Sequence, residues 1–188
     1  MRAFLSIPLD ETVQDAILRF QQSAQEKIRG VKWTRPANCH LTLKFMGEIP
    51  PSMAATVQVA LAPVAERFSP FSVELGGIGR FPEKGPLSIV WIGVKHGISP
   101  LTALENEIRE AMIASALPFD KKPFVPHFTI GRAKREDRVF FDALKPFADL
   151  SFRTMTVEAF HLMESVLHPQ GSIYTTCVHF PLSRTAGM

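Results

Sequence analysis

Two tetrapeptides carry the side chains best suited to chemistry, His40-Leu41-Thr42-Leu43 and His127-Phe128-Thr129-Ile130. Each reads His, apolar, Thr, apolar. Alternate residues of a strand point to opposite faces, so the imidazole and the hydroxyl share one face and the apolar pair anchors the other. One such motif arises by chance in many chains. Two, at matching places in the two halves, predict a single groove lined by both. There a neutral imidazole can take a proton from a nucleophile while a protonated one gives a proton to a leaving group. An ordinary pKa of about 6.5 makes both forms available near neutrality. The Thr hydroxyls can donate to oxyanions. A phosphoryl group, with two non-bridging oxygens, matches two such donors. No carboxylate cluster accompanies the motifs, so the expected chemistry is phosphodiester cleavage needing neither metal nor cofactor.

The elements that must position these groups follow from pattern and punctuation. Arg2 to Ile7 reads as a strand closed by Pro8. Asp10 caps a helix whose apolar stripe is Val13, Ala16, Ile17, Phe20, Ala24 and Ile28, ended by Gly30. Val31 to Trp33 is a short extended piece, and His40 to Met46 is the first motif strand. Ser52 to Phe68 is a helix that Pro63 can kink. Phe71 to Ile78 is a strand followed by a turn at Gly79-Arg80-Phe81-Pro82. Leu87 to Lys95 reads as a buried strand, and Pro100 opens a helix with Leu101, Leu104, Ile108, Met112 and Ile113 as its stripe. Phe119 to Pro126 is a loop, and His127 to Gly131 the second motif strand. Lys134 to Arg138 is a charged turn, and Val139 to Phe147 a short helical or irregular segment. Ser151 to Ser165 and Ser172 to Phe180 are two long strands around a turn at His168-Pro169-Gln170-Gly171.

The order strand, helix, His-bearing strand occurs twice. The two histidines are separated by 127 − 40 = 87 positions, and Phe71 and Phe152 by 152 − 71 = 81. The expected class is α+β: two pseudo-twofold lobes of antiparallel sheet with outer helices around a central cleft. Residues 1–188 then form one bilobal domain with an internal duplication. Its motif strands are 40–46 and 127–131.

Composition agrees with a globular chain of 188 residues, 46% hydrophobic and 21% charged. The net charge of +3 permits an anionic substrate but lacks the basic density of a duplex-DNA binder. Cys39 and Cys177 are too few for a disulfide framework. No run reaches the length of a membrane span. A reduced, cytoplasmic protein without membrane association is expected, and nothing demands an oligomer, so a monomer is expected.

The paired motifs resemble those of the two-histidine phosphoesterases. The similarity extends to the bacterial and archaeal RNA 2′,3′-cyclic phosphodiesterases, once described as 2′-5′ RNA ligases. Supporting stretches are Arg2-Ala3-Phe4, Val31-Lys32-Trp33, Ile78 to Pro82, Val90 to Val94, Pro123 to His127, and Glu164-Ser165 with Gly171 and Tyr174. The resemblance implies opening of a terminal ribose 2′,3′-cyclic phosphate to a 2′-phosphate, with an RNA end or related cyclic nucleotide as partner. It implies that His127 is the proton acceptor and His40 the proton donor. It further implies that Thr42 and Thr129 hold phosphate oxygens, Arg132 binds phosphate and Phe45 packs near the terminal base. Motif symmetry alone allows either assignment of acid and base. By alternation Phe45 has the parity of Leu41 and Arg132 that of Phe128, so a bulge or a strand end must turn both into the cleft. Lys44 shares the parity of His40 and reads as a rim charge. Trp33 and Trp91 read as core, and His96, His161, His168 and His179 as structural. Lys121, Lys122, Lys134, Arg135 and Arg138 form either a solvated face or an RNA-backbone patch. Three other readings stand beside the leading one: 2′-5′ ligation or 2′-5′ phosphodiester cleavage in the same cleft, a non-catalytic RNA-end binder, and a His-ligated metal site, for which two His and two Thr are a poor ligand set.

Overall fold

The computed structural model describes residues 1–83, 88–133, 144–169 and 171–183. The strands are β1 (Arg2–Pro8), β2 (Val31–Trp33), β3 (His40–Glu48), β4 (Phe71–Phe81), β5 (Ile89–His96), β6 (His127–Ala133), β7 (Ser151–Val157), β8 (Ala159–Val166) and β9 (Ile173–Pro181). The α-helices are α1 (Glu11–Ala24), α2 (Met53–Glu66) and α3 (Ile98–Ala114). The class is α+β, as the alternation of short helices with turn-linked strands predicts. Leu87, Lys134 to Arg138, residues 139–143 and Gln170 lie outside the described residues.

Eight strands form one antiparallel sheet in the order β7-β4-β5-β6-β3-β1-β8-β9, with β2 added on β6. The motif strands β6 and β3 sit at its middle, joined by a single residue pair, Leu41 opposite Phe128. Each half-sheet draws on both halves of the sequence: β4 joins β5 and β6, while β8 and β9 join β1 and β3. The long strand predicted from Ser151 to Ser165 is therefore two strands. They part at Glu158, β7 pairing with β4 and β8 with β1, so the sheet curls until its far ends meet at one residue. Leu182 N–H donates to the Glu158 carbonyl at 2.8 Å and fastens that corner.

The turn predicted at Gly79 to Phe81 is strand instead, paired with Trp91, Val90 and Ile89. Gly79 belongs there because the Trp91 indole lies over it. A Cβ at Gly79 would stand 2.1 Å from Trp91 Cζ2. Helix α1 starts as predicted, with Asp10 Oδ1 accepting from Val13 N–H at 2.8 Å. Its stripe of Val13, Ile17, Phe20 and Ala24 is buried against the sheet. Pro63 lies inside α2, which runs on to Glu66. In α3, Leu101, Leu104, Ile108 and Met112 are buried, whereas Ile113 is exposed and Glu105 takes a place in the stripe.

Candidate active site

Antiparallel register does the first work. With Leu41 opposite Phe128, one step along the strands sets His40 across from Thr129, and one step the other way sets Thr42 across from His127. Leu41 and Phe128 are both fully buried, which sends the four polar side chains to the opposite, cleft face. The two motifs meet head to tail, each hydroxyl beside the other motif's imidazole.

Both rings are held alike. His40 Nδ1 lies 2.9 Å from the Asn38 carbonyl oxygen and His127 Nδ1 2.7 Å from the Val125 carbonyl oxygen. A carbonyl only accepts, so each Nδ1 carries the hydrogen and donates it. Each Nε2 is then the nitrogen left free for proton transfer. Aromatic rings flank both. Phe4 stacks on His40 at 4.7 Å and Tyr174 meets it edge-on at 5.0 Å. Phe81 meets His127 at 5.0 Å, and the Trp91 ring lies 6.3 Å from His127. Burial pushes the His40 pKa from 6.5 down to about 4, with the charges of Arg132 and His127 adding in the same direction. The Asn38 carbonyl opposes the shift. His127 is lowered by burial and by Arg132, against the Val125 carbonyl. Arg132 thus acts electrostatically on both rings.

Phe45 and Arg132 reach the cleft through register shifts. In β3, Leu5 pairs with Lys44 but Ser6 with Thr42, so Leu43 is an extra residue. In β6, Val90 pairs with Gly131 but Trp91 with Thr129, so Ile130 is extra. Each bulge falls on the fourth residue of its motif and inverts the alternation beyond it. Phe45 and Arg132, each five residues after its histidine, consequently share its face. Phe45 is 46% exposed and lies 6.1 Å from the Phe4 ring. The bulge in β6 is secured locally: the Ile130 carbonyl accepts from Thr34 N–H at 2.9 Å and from Gln21 Nε2 at 3.1 Å. Buried Gln21 was invisible to the apolar pattern of α1.

The same inversion corrects the reading of Lys44 as a rim charge. Lys44 is 4% exposed on the far face, with Nζ 2.6 Å from Glu105 Oε1 on α3. That oxygen lies off the hydrogen-bond directions, leaving a close ion pair. Trp91 is likewise not simply core, for it stands opposite Thr129 beside His127. Cys39 is buried, its thiol pushed up to about 12 by burial. His161 and His179, read as structural, face each other at 2.8 Å on β8 and β9. No group of three or more metal-ligating side chains occurs among the described residues. No described helix is long and apolar enough to cross a membrane.

A family model described as the 2′-5′ RNA ligase superfamily matches residues 11–168. The chain belongs to that superfamily. An RNA 2′,3′-cyclic phosphodiesterase of Archaeoglobus fulgidus is 34% identical over 93% of this chain and 96% of the relative. One from Aquifex aeolicus is 32% identical over 97% of each. Among solved structures, protein TT0787 of Thermus thermophilus superposes with a TM-score of 0.82 at 28% identity, covering 98% of this chain and 99% of that one. Escherichia coli LigT complexed with 3′-AMP shares the fold at a TM-score of 0.76 and 23% identity, covering 97% and 98%. The fold shared with these structures thus runs through the whole sheet and its helices.

Proposed function

We propose that this chain is an RNA 2′,3′-cyclic phosphodiesterase that opens a terminal cyclic phosphate to a 2′-phosphate without a metal. The observation that carries this reading is the head-to-tail meeting of two Nδ1-anchored imidazoles with two Thr hydroxyls across one seam. The curated relatives bearing that activity name agree with it. The roles are those implied by the resemblance. His127 Nε2 takes a proton from water as the water oxygen attacks phosphorus. His40 Nε2–H gives its proton to the departing 3′ oxygen, leaving a 2′-phosphate and a 3′-hydroxyl. Thr42 and Thr129 donate to the non-bridging oxygens, Arg132 balances their charge, and Phe45 meets the terminal base. Both rings rest neutral near pH 7, since both pKa values lie below 6.5. An anionic phosphate between them acts against burial and Arg132, raising both pKa values and helping load the acid.

We also read the chain as one bilobal, duplicated, monomeric domain. The matched bulges and the matched carbonyl anchors support the duplication.

The deciding experiment gives a short RNA with a 2′,3′-cyclic phosphate end to the protein in EDTA. A 2′-phosphate product is expected, and a 3′-phosphate would reverse the leaving group. His40→Ala and His127→Ala should each lower turnover by about 10²–10⁴-fold without unfolding the chain. Full activity in either variant sinks the reading. Adding an RNA with a 5′-hydroxyl end tests ligation. Binding without turnover would instead favour an end-sensing module.

A further inference from the structure

Behind the cleft lies a pocket of about 710 Å³ between α3, the far face of β3 and the segment 117–126. That volume is in the range of small-ligand sites. The ion pair of Lys44 and Glu105 lines it, both residues more than nine-tenths buried. Lys44 is neutralised there, so the charge left for a ligand comes from Arg109, Lys121 and Lys122, with Phe124 as part of an apolar wall. Lys121 and Lys122 form no ion pair with a described residue. Arg109 is partly engaged, with Glu110 at 3.0 Å and Asn106 at 3.4 Å.

One segment borders both the pocket and the cleft rim. Past Thr42, β3 leaves β6, and Asp120 N–H donates to the Phe45 carbonyl at 2.8 Å, bringing the segment alongside β3. Phe45 therefore marks the cleft side of this rim and Lys44 the pocket side. Five residues beyond Asp120 the same segment reaches Val125, whose carbonyl anchors His127.

We infer that the RNA strand upstream of the reacting end leaves the cleft past Phe45, and that Lys121, Lys122 and Arg109 hold its phosphodiesters in this pocket. The inference rests on the cyclic-phosphate reading, and it distinguishes an RNA chain from a free cyclic mononucleotide as the substrate. Three cations facing one anionic strand, beside an apolar wall for sugar or base, are the chemistry such a strand requires.

The test compares a nucleoside 2′,3′-cyclic monophosphate with a short RNA bearing the same end. In Lys121→Ala/Lys122→Ala, KM for the RNA should rise about tenfold at low salt, with kcat unchanged. The slope of log(kcat/KM) against log salt should become shallower by about 0.7 for each phosphate no longer neutralised. Arg109→Ala should act in the same direction. The mononucleotide should be handled as by the unmodified protein, and Lys121→Arg/Lys122→Arg should restore the RNA. Equal loss on both substrates, or no loss on either, overturns the inference. If the unmodified protein turned over neither substrate, the catalytic reading would fail by itself. Fluorescence anisotropy of the RNA on His127→Ala, with and without the double lysine change, would then decide this one: weaker binding in the combined variant supports it, and unchanged binding overturns it.

Discussion

Burial lowers both imidazole pKa values and the Arg132 charge adds to the shift, so Arg132 helps set the pH at which the two rings titrate. In the proposed reaction the productive free protein has His40 protonated and His127 neutral. With His40 near 4 and His127 below 6.5, the optimum of kcat/KM belongs on the acid side of 6.5. Arg132→Gln removes a positive neighbour and should move both titrations upward, read by NMR of the imidazole protons. A downward move, or none, would detach Arg132 from the site. Alternation alone made the pair of His-x-Thr faces legible, because a two-residue step is correct within each tetrapeptide. It failed just beyond them, at Lys44, Phe45 and Arg132, because a bulge has no residue type of its own. A usable signal was present: Phe45 and Arg132 share the offset of five from their histidines. Glu105 was similarly readable as a charge within the stripe of Leu101, Leu104 and Ile108. A carboxylate there needs a cation, and Lys44 is that cation. Removing one partner of such a pair typically costs about 3–5 kcal/mol.

The strands β4 and β5 supply a second example of sequence read correctly in composition and wrongly in form. Gly79 looked like punctuation, yet it is a strand residue whose missing Cβ makes room for an indole. Gly79→Ala should therefore lift Trp91 from β4 and disturb its approach to His127. Overpacking of this kind costs about 1–3 kcal/mol, measurable by urea unfolding, and kcat should fall with it. Unchanged stability and rate would mean that the ring relocates freely. Helix starts were easier to read, because Asp10 and the apolar stripes carry local signals, but α1 ends at Ala24 rather than at the expected Gly30. The break at Glu158 carried none. Both flanking segments are β-formers, and only the destination of each strand, at opposite ends of the sheet, separates them.

At the scale of the molecule, the antiparallel class was legible while the assembly of the half-sheets was not. Repeat order suggested that each sequence half makes its own lobe, but β4 and β8 trade places, interlocking the two halves. Pairings between stretches so far apart along the chain leave no mark on local pattern. The seam itself, one residue pair between β3 and β6, makes the sheet two stiff plates joined by a single rivet. The gap between the two imidazoles then rests on that joint rather than on a ladder of bonds, so it is the dimension in which the sheet is expected to yield. A phosphate gripped from both sides adds a second rivet. Amide hydrogen exchange along β3 and β6 should accordingly slow when inorganic phosphate or a nucleotide product is bound. Unchanged exchange would mean that the plates are already clamped, and that the cleft meets its substrate at a fixed width.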